Sequence, residues 1–474
     1  MLNKSTVQLM ALGLVGSFAA TAAAQDSGAL IDALVRKGVL KDQEAEQIRS
    51  QLSRDYAANT PAGKLNISSS VKELKLSGDV RLRYQYENQA ASVGGTGASN
   101  GVQPAAGNED HRTRYRLRLR VNADYKLADD FFAGFGLQTG QNNDSGNQTM
   151  ADAGSAGTYF QNYNIYINKA FIGWSGIPGV TLIGGKQVNP FYTTDLVWDP
   201  DINPTGVTEK FDLHKFADLG PLELSLVGGQ FIVADNTESG ASNKANRDAI
   251  IYNTQLVVGL KVTDDVKLTV APGYYTSNGA QLTGTGGGGY NYGGWAAAAT
   301  GTEQLRGLKV YTAPGDVSFK IAGKPAKVLW DVAWNADKNS RNSLYRINSA
   351  GTVVNTRAVN LANSDRDSLA YLAGFQIGEN KKKGDWSVLA NYRQVGLSAI
   401  DPNINDSDWS LSYTNMAGFK VGFMYNLGDA TTIGSTFYQA NNLRSDLGNG
   451  LTSAGPGSPA NAVQVLQVDL SVKF

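Results

Sequence analysis

The sequence predicts an all-β fold: a transmembrane antiparallel β-barrel of about 16 strands, preceded by a short N-terminal α-helical segment. Three observations lead there. Beyond residue 70, apolar and polar residues alternate with a period of two in one segment after another. The connections between those segments alternate between short turns and long polar loops. The polar strand faces carry Arg, Lys, Asp and Gln in numbers that a packed, dry core does not hold.

The elements follow in chain order. Residues 1–24 have a basic Lys4, an apolar stretch from Val7 to Ala20 and the small residues Ala22, Ala23 and Ala24. This is the three-part pattern of a secretory signal peptide, with cleavage before Gln25. Residues 25–56 are charged and free of proline, with Leu30, Leu34, Ile48 and Leu52 at helical spacings and Gly38 as a break between two short helices. The simplest role for them is an exposed helical hairpin in the periplasm; the functional alternative is a contact with the cell wall or with sister chains. Residues 57–70 read as a linker, and residues 71–474 as the barrel.

Within the barrel, Val328, Trp330, Val332 and Trp334 share one strand face, with Lys327, Asp331 and Asn335 on the other. Phe419, Val421, Phe423, Tyr425 and Leu427 oppose Lys420, Gly422 and Asn426 in the same way. Leu466, Val468, Leu470 and Val472 oppose Gln467, Asp469, Ser471 and Lys473. Short turns fall near Ala128–Asp130, Ser175–Gly179, Asp218–Pro221, Thr263–Asp265, Gly323–Pro325, Asn380–Gly384 and Gly428–Asp429. Long loops fall at about 88–111, 142–160, 189–206, 235–248, 278–302, 338–366, 399–415 and 442–460. Seven short turns and eight long loops join 16 strands. Lipid cannot satisfy backbone amides, so a spanning sheet must close on itself, with an apolar exterior and a wet interior. A soluble β-sandwich also alternates, but its core has no place for these charges.

Bulk composition narrows the function. The 474 residues carry 42 Lys plus Arg against 42 Asp plus Glu, no cysteine, and two histidines, His111 and His214. A net charge of zero argues against a nucleic-acid partner. The absence of Cys removes disulfides, thiolate metal sites and cysteine nucleophiles. Neither histidine has a Ser or metal partner by spacing, so no catalytic residue, metal site or cofactor is expected, and an outer-membrane enzyme such as a phospholipase is disfavoured. No later run of about 18 apolar residues offers a transmembrane helix.

The residues that carry the function lie on the first two strands. In HRTRYRLRLRV, Arg112, Arg114, Arg116, Arg118 and Arg120 occupy every second position, between Thr113, Tyr115, Leu117, Leu119 and Val121. Arginine on the lipid face near the midplane costs roughly 2–4 kcal/mol each, so the arginines turn inward. Arg81 and Arg83 in GDVRLRYQYE follow the same logic, and the two rows form one basic wall. At roughly 6.8 Å apart, neighbouring arginines repel by about 0.6 kcal/mol even in a water-like medium, so the wall calls for water or opposing carboxylates. The third long loop, near 189–206, offers Asp195, Asp199 and Asp201, stiffened by Pro190, Pro200 and Pro204, with Phe191 and Trp198 as anchors.

A leader, 16 strands, a basic wall, an acidic third loop and Phe474 at the last position together resemble a bacterial porin. The segment LIDALVRKGVLKDQEAE ahead of such a barrel, together with WDPDINP, resembles the "putative porin" family of Gram-negative outer membranes. The resemblance implies that the third loop folds into the lumen with Asp195, Asp199 and Asp201 across from Arg81, Arg83, Arg114, Arg116 and Arg118. It implies that Phe474 is recognised by the barrel-assembly machinery, that the protein sits in outer-membrane lipid as a homotrimer, and that small hydrophilic solutes are its cargo. The expected function is passive diffusion through a water-filled pore with a mild anion preference. The alternatives are a substrate-specific channel for an anion such as phosphate or an acidic sugar, and a non-conducting structural or adhesive outer-membrane protein.

Overall fold

The computed structural model describes residues 31, 34–37, 41, 43–50, 68–90, 109–141, 144–151, 160, 162–234, 249–278, 309–336, 346–347, 353–354, 368–396, 399–401, 404–410, 414–443 and 462–474. The expected leader at 1–24 and the Gly-rich tract 284–295 lie outside the described residues. The chain divides into two compact units, Met1–Ser69 and Ser70–Phe474. In the first, residues 34–36 and 43–50 are helical, with Ile31 and Ala45 buried. The Lys41 backbone N–H donates to the Glu44 carboxylate at 3.0 Å, half of a capping box that starts the second helical stretch.

The second unit is a closed antiparallel barrel of 16 strands. In chain order these are β1 Val71–Ala90, β2 Glu109–Leu127, β3 Phe131–Thr139, β4 Ile165–Trp174, β5 Val180–Lys186, β6 Thr205–Asp212, β7 Leu222–Ala234 and β8 Ala249–Lys261. Then follow β9 in two pieces (Lys267–Val270 and Gly273–Asn278), β10 in two pieces (Lys309–Thr312 and Gly315–Ile321), β11 Lys324–Asn335, β12 Leu369–Gly378, β13 Trp386–Val395, β14 Met416–Asn426, β15 Thr431–Asn442 and β16 Val463–Lys473. Each strand pairs with its sequence neighbour, and β1 pairs with β16 from Asp79↔Lys473 to Gln89↔Val463. At that seam the Gly78 and Phe474 backbones exchange hydrogen bonds of 2.8 and 3.0 Å. No edge is left over, which is how a sheet survives in lipid.

The connections obey the expected alternation of short turns and long loops. Asp129 and Asp130 both take positive φ (55° and 60°) in the β2–β3 turn, as do Ala322 and Gly323 (48° and 75°) in the β10–β11 turn. Two successive left-handed residues make the turn that matches the twist of a hairpin, and Asp and Gly tolerate that region best. β9 and β10 break at Ala271–Pro272 and Ala313–Pro314 because proline has no N–H for the ladder. The gap is bridged by Leu256 N–H to Pro272 O (2.9 Å) and Ala271 N–H to Pro314 O (2.8 Å).

The outer face is apolar. Tyr115 is 61% exposed, and Leu82, Val121, Val328, Val332, Trp334, Phe419, Val421 and Phe423 are also exposed, each at the alternate position the sequence assigns to lipid, as are Phe135 and Ile172. Aromatic rings step across this face, with centroids 5.0 Å apart for Tyr274–Tyr311, 5.9 Å for Tyr311–Trp334 and 6.3 Å for Tyr371–Tyr392. Such belts mark the levels where hydrocarbon gives way to headgroups.

Candidate functional site

The interior is identified by what meets there. Within residues 187–204, the loop between β5 and β6, the Tyr192 N–H donates to Gln255 on β8 (2.8 Å) and the Thr194 hydroxyl to Asp331 on β11 (2.7 Å). Asp195 accepts from Lys420 on β14 (2.6 Å), and its carbonyl accepts from Arg393 on β13 (2.7 Å). Asp201 lies 3.9 Å from Arg118 on β2. One loop reaches strands on both sides of a closed cylinder only by lying inside it. The third long loop therefore folds into the lumen.

The basic wall forms in register. Arg81 lies opposite Arg118, and Arg83 opposite Arg116. Like charges directly opposite are unfavourable, and the wall carries its own remedy. The Asp79 carboxylate accepts from Arg118 (2.8 Å) and from Arg120 (2.6 Å). Asp469, opposite Arg83 across the β1–β16 seam, takes two hydrogen bonds from it, of 2.7 and 2.8 Å. Arg114 pairs with Glu87. Arg81 donates to Asn147 (2.5 Å) and lies 3.8 Å from Asp469, while Arg116 donates to Gln85 (3.1 Å). Arg112, opposite Glu87 in register, stands near the extracellular end of β2. The carboxylates share the parity of the arginines: Asp79 and Glu87 occupy the same face of GDVRLRYQYE as Arg81 and Arg83. Extending the period of two by one step before Arg81 and by two steps past Arg83 exposes them in the sequence. Asp469 becomes visible only once the barrel closes.

The three loop aspartates separate into distinct environments. Asp201 alone among them faces the arginine wall. Asp195 is held by Lys420 and Arg393 instead; burial pushes its carboxyl up, but those two cations outweigh the burial and keep it at about 2. Asp199 is buried and accepts from the Ser407 N–H, the Ser407 hydroxyl and the Asp201 N–H, each at 2.8 Å. Burial and the neighbouring Asp406 carboxylate push it up to about 7, against those donors.

Ser407 belongs to a second inward segment, residues 404–410, in the loop between β13 and β14. Its Ile404 carbonyl accepts from the Asp199 N–H at 2.7 Å. Asp406 lies 3.0 Å from Arg393, and Trp409 is fully buried, with the Arg393 guanidinium 4.7 Å from its ring centroid. Asp408 reaches Arg83 at 3.4 Å. The sequence does carry a signal for this loop: Asp199-Pro200-Asp201-Ile202-Asn203 recurs as Asp401-Pro402-Asn403-Ile404-Asn405. The same hydrogen bond closes both, Ile202 N–H to Asp199 O at 3.1 Å and Ile404 N–H to Asp401 O at 3.3 Å.

Both inward segments rest on an apolar patch. Phe191, Leu196, Val197 and Trp198 from the first, and Ala399, Ile400, Ile404 and Trp409 from the second, pack with inward residues of β7–β16, among them Phe231, Ile251, Tyr275, Leu372, Val395 and Val463. Trp198 and Phe191 meet Phe231 edge-on, with centroids 6.2 and 5.9 Å apart. The charged groups opposite keep contact with water: Asp408 is 31% and Asp201 28% exposed, while Arg83 behind Asp408 is 5% exposed. His111 meets the Tyr86 hydroxyl (2.9 Å) and His214 the Leu224 carbonyl (3.1 Å). Among the described residues no cluster of His, Asp and Glu has the arrangement of a metal site. Lys381 and Lys382 give their backbone N–H groups to Asp385 in the β12–β13 turn, away from the wall.

Comparison with known proteins places the chain. The profile of a family described as "Putative porin" matches residues 19–282 and 325–474. No curated protein matches. Among solved structures, OmpF of Salmonella typhi in complex with daunomycin aligns over 86% of this chain and 99% of its own, at 12% identity and a TM-score of 0.44. The anion-selective porin of Comamonas acidovorans aligns over 85% and 99%, at 11% identity and 0.42. OprB of Pseudomonas putida aligns over 84% and 94%, at 10% identity and 0.45.

Proposed function

The chain belongs to the "putative porin" family of outer-membrane channel proteins, and we propose that it passes small hydrophilic solutes and ions by passive diffusion, with a mild anion preference. The observation that supports this is the exposed charge at the constriction, where Asp408 and Asp201 face the arginine wall. Two loops fill one side of the lumen with packed side chains, while the carboxylates facing the arginine wall stay in contact with water.

The sign of the preference follows from the charges around the passage. Seven arginines, Arg81, Arg83, Arg112, Arg114, Arg116, Arg118 and Arg120, are met by five carboxylates, Asp79, Glu87, Asp469, Asp201 and Asp408. On the wall itself the arginines outnumber the carboxylates that meet them, and a positive wall favours anions. The protein reaches its membrane through a leader at 1–24 and carries a periplasmic helical segment at 25–56, a linker at 57–70 and the barrel at 71–474. It assembles as a homotrimer, and Phe474 serves the barrel-assembly machinery.

Single-channel recording in a planar bilayer under a potassium chloride gradient tests the proposal. The expected result is an ohmic current whose reversal potential lies on the chloride side, without saturation by phosphate. A barrel that carries no current overturns the pore. Saturable block by phosphate or an acidic sugar replaces free diffusion with a substrate-specific channel.

A further inference from the structure

The loop between β13 and β14 is fixed as firmly as the first. Its anchor is Arg393, fully buried, whose single guanidinium touches both inward segments: the Asp195 carbonyl at 2.7 Å on one, Asp406 at 3.0 Å and the Trp409 ring on the other. A second clasp joins the segments directly, through the two hydrogen bonds from Ser407 to Asp199 and the Asp199 N–H to the Ile404 carbonyl. The shared Asp-Pro-x-Ile-Asn sequence gives both segments the same closing hydrogen bond. The constriction is therefore a pair of matched jaws.

The jaws present different charges to the wall. The first brings Asp201 to 3.9 Å from Arg118, a cation that Asp79 already holds at 2.8 Å. The second brings Asp408 to 3.4 Å from Arg83, which Asp469 already holds at 2.7 and 2.8 Å and which lies opposite Arg116, whose hydrogen bond goes to the neutral Gln85. Asp408 is the more exposed partner of that pair, so a passing ion meets the carboxylate before the guanidinium. Burial raises its carboxyl, but Arg83, the Gln467 amide and Arg116 hold it at about 2, so it stays charged at any physiological pH.

We propose that Asp408, carried into the lumen on the second jaw, is a selectivity-determining residue that restrains the anion preference of the pore by screening Arg83 and Arg116. This inference rests on the diffusion-pore reading. Its test uses the full-length protein in planar bilayers, comparing wild type with Asp408→Asn and Asp201→Asn. Removing one negative charge several ångströms from the ion path changes the chloride-to-potassium permeability ratio by about threefold in a water-like medium. The expected result is such a rise for Asp408→Asn and a smaller one for Asp201→Asn.

An unchanged ratio in a conducting Asp408→Asn channel overturns the proposal and leaves the pore standing. A wild-type protein without current overturns both. The chain has no cysteine, so Asp408→Cys gives a unique thiol and a second measurement should the amide variant fail to assemble. Labelling it with neutral, anionic or cationic thiosulfonates should move the ratio in step with the charge of the label. A ratio indifferent to that charge overturns the proposal as well.

Discussion

The two sides of this lumen solve opposite problems. From β7 to β16 the inward face near the loops carries a buried apolar patch that packs against Phe191, Trp198, Ile404 and Trp409 like the core of a soluble domain, with Gln255, Asp331, Arg393 and Lys420 tying the first loop down beside it. Along β1 and β2 the inward face is charged and its arginines are interleaved with carboxylates, while Asp201 and Asp408 of the loops cover it with exposed charge. The comparison teaches that a barrel of 16 strands need not be a uniform tube. One part of its circumference is spent on holding the loops, and another on meeting the solute.

The largest test of that division is Arg393→Met. Truncating one member of a buried charge cluster costs about 3–5 kcal/mol, because Asp406 is left without its cation. Both jaws should loosen together. The expected outcome is a larger, noisier single-channel conductance and protease cleavage within 399–415 on intact cells. A quiet channel of wild-type size would mean that the apolar patch alone holds the loops.

Arg116→Glu probes the opposite side. It changes the wall by two charges at a residue whose nearest hydrogen-bond partner is the neutral Gln85. The reversal potential should move to the cation side with little change in conductance. Unchanged selectivity would remove the wall from the ion path.

A smaller effect comes from Asp199. Its carboxyl is pushed up to about 7 by burial and Asp406, far above the ordinary value of about 3.9. The folded protein therefore binds a proton there that the unfolded chain does not bind between about pH 4 and 7. The cost of keeping this group charged is fully present above pH 7 and fades as the pH falls. Between pH 8 and pH 6 the lumen loses one negative charge, and the reversal potential should shift modestly toward the anion side. In Asp199→Asn that shift should vanish. The smallest expected effect is that of Lys382→Ala, in the β12–β13 turn, which should leave the selectivity where it was.

Much of this was legible in the sequence, and the limits have physical causes. The strands and their inward and outward faces follow from the period of two, because lipid forbids the reverse assignment for Arg114, Arg116 and Arg118. The short turns follow from residues such as Asp129, Asp130 and Gly323 that accept left-handed backbone. What the sequence hides is pairing at long range. Asp469 meets Arg83 across a separation of 386 residues, and Lys420 meets Asp195 across 225. Arg393 looks like one polar residue on an alternating strand, yet it ties two loops. The repeated Asp-Pro-x-Ile-Asn was the available clue to the second jaw, since a sequence that recurs in two long loops invites the same role for both.

The Arg393 tie also governs time. Because one side chain touches both jaws, neither can swing out without disturbing the other's anchor. Their excursions are a single event with one lifetime. Flicker in the open channel should accordingly show two current levels and one relaxation frequency, where independently hinged loops would give four levels and two.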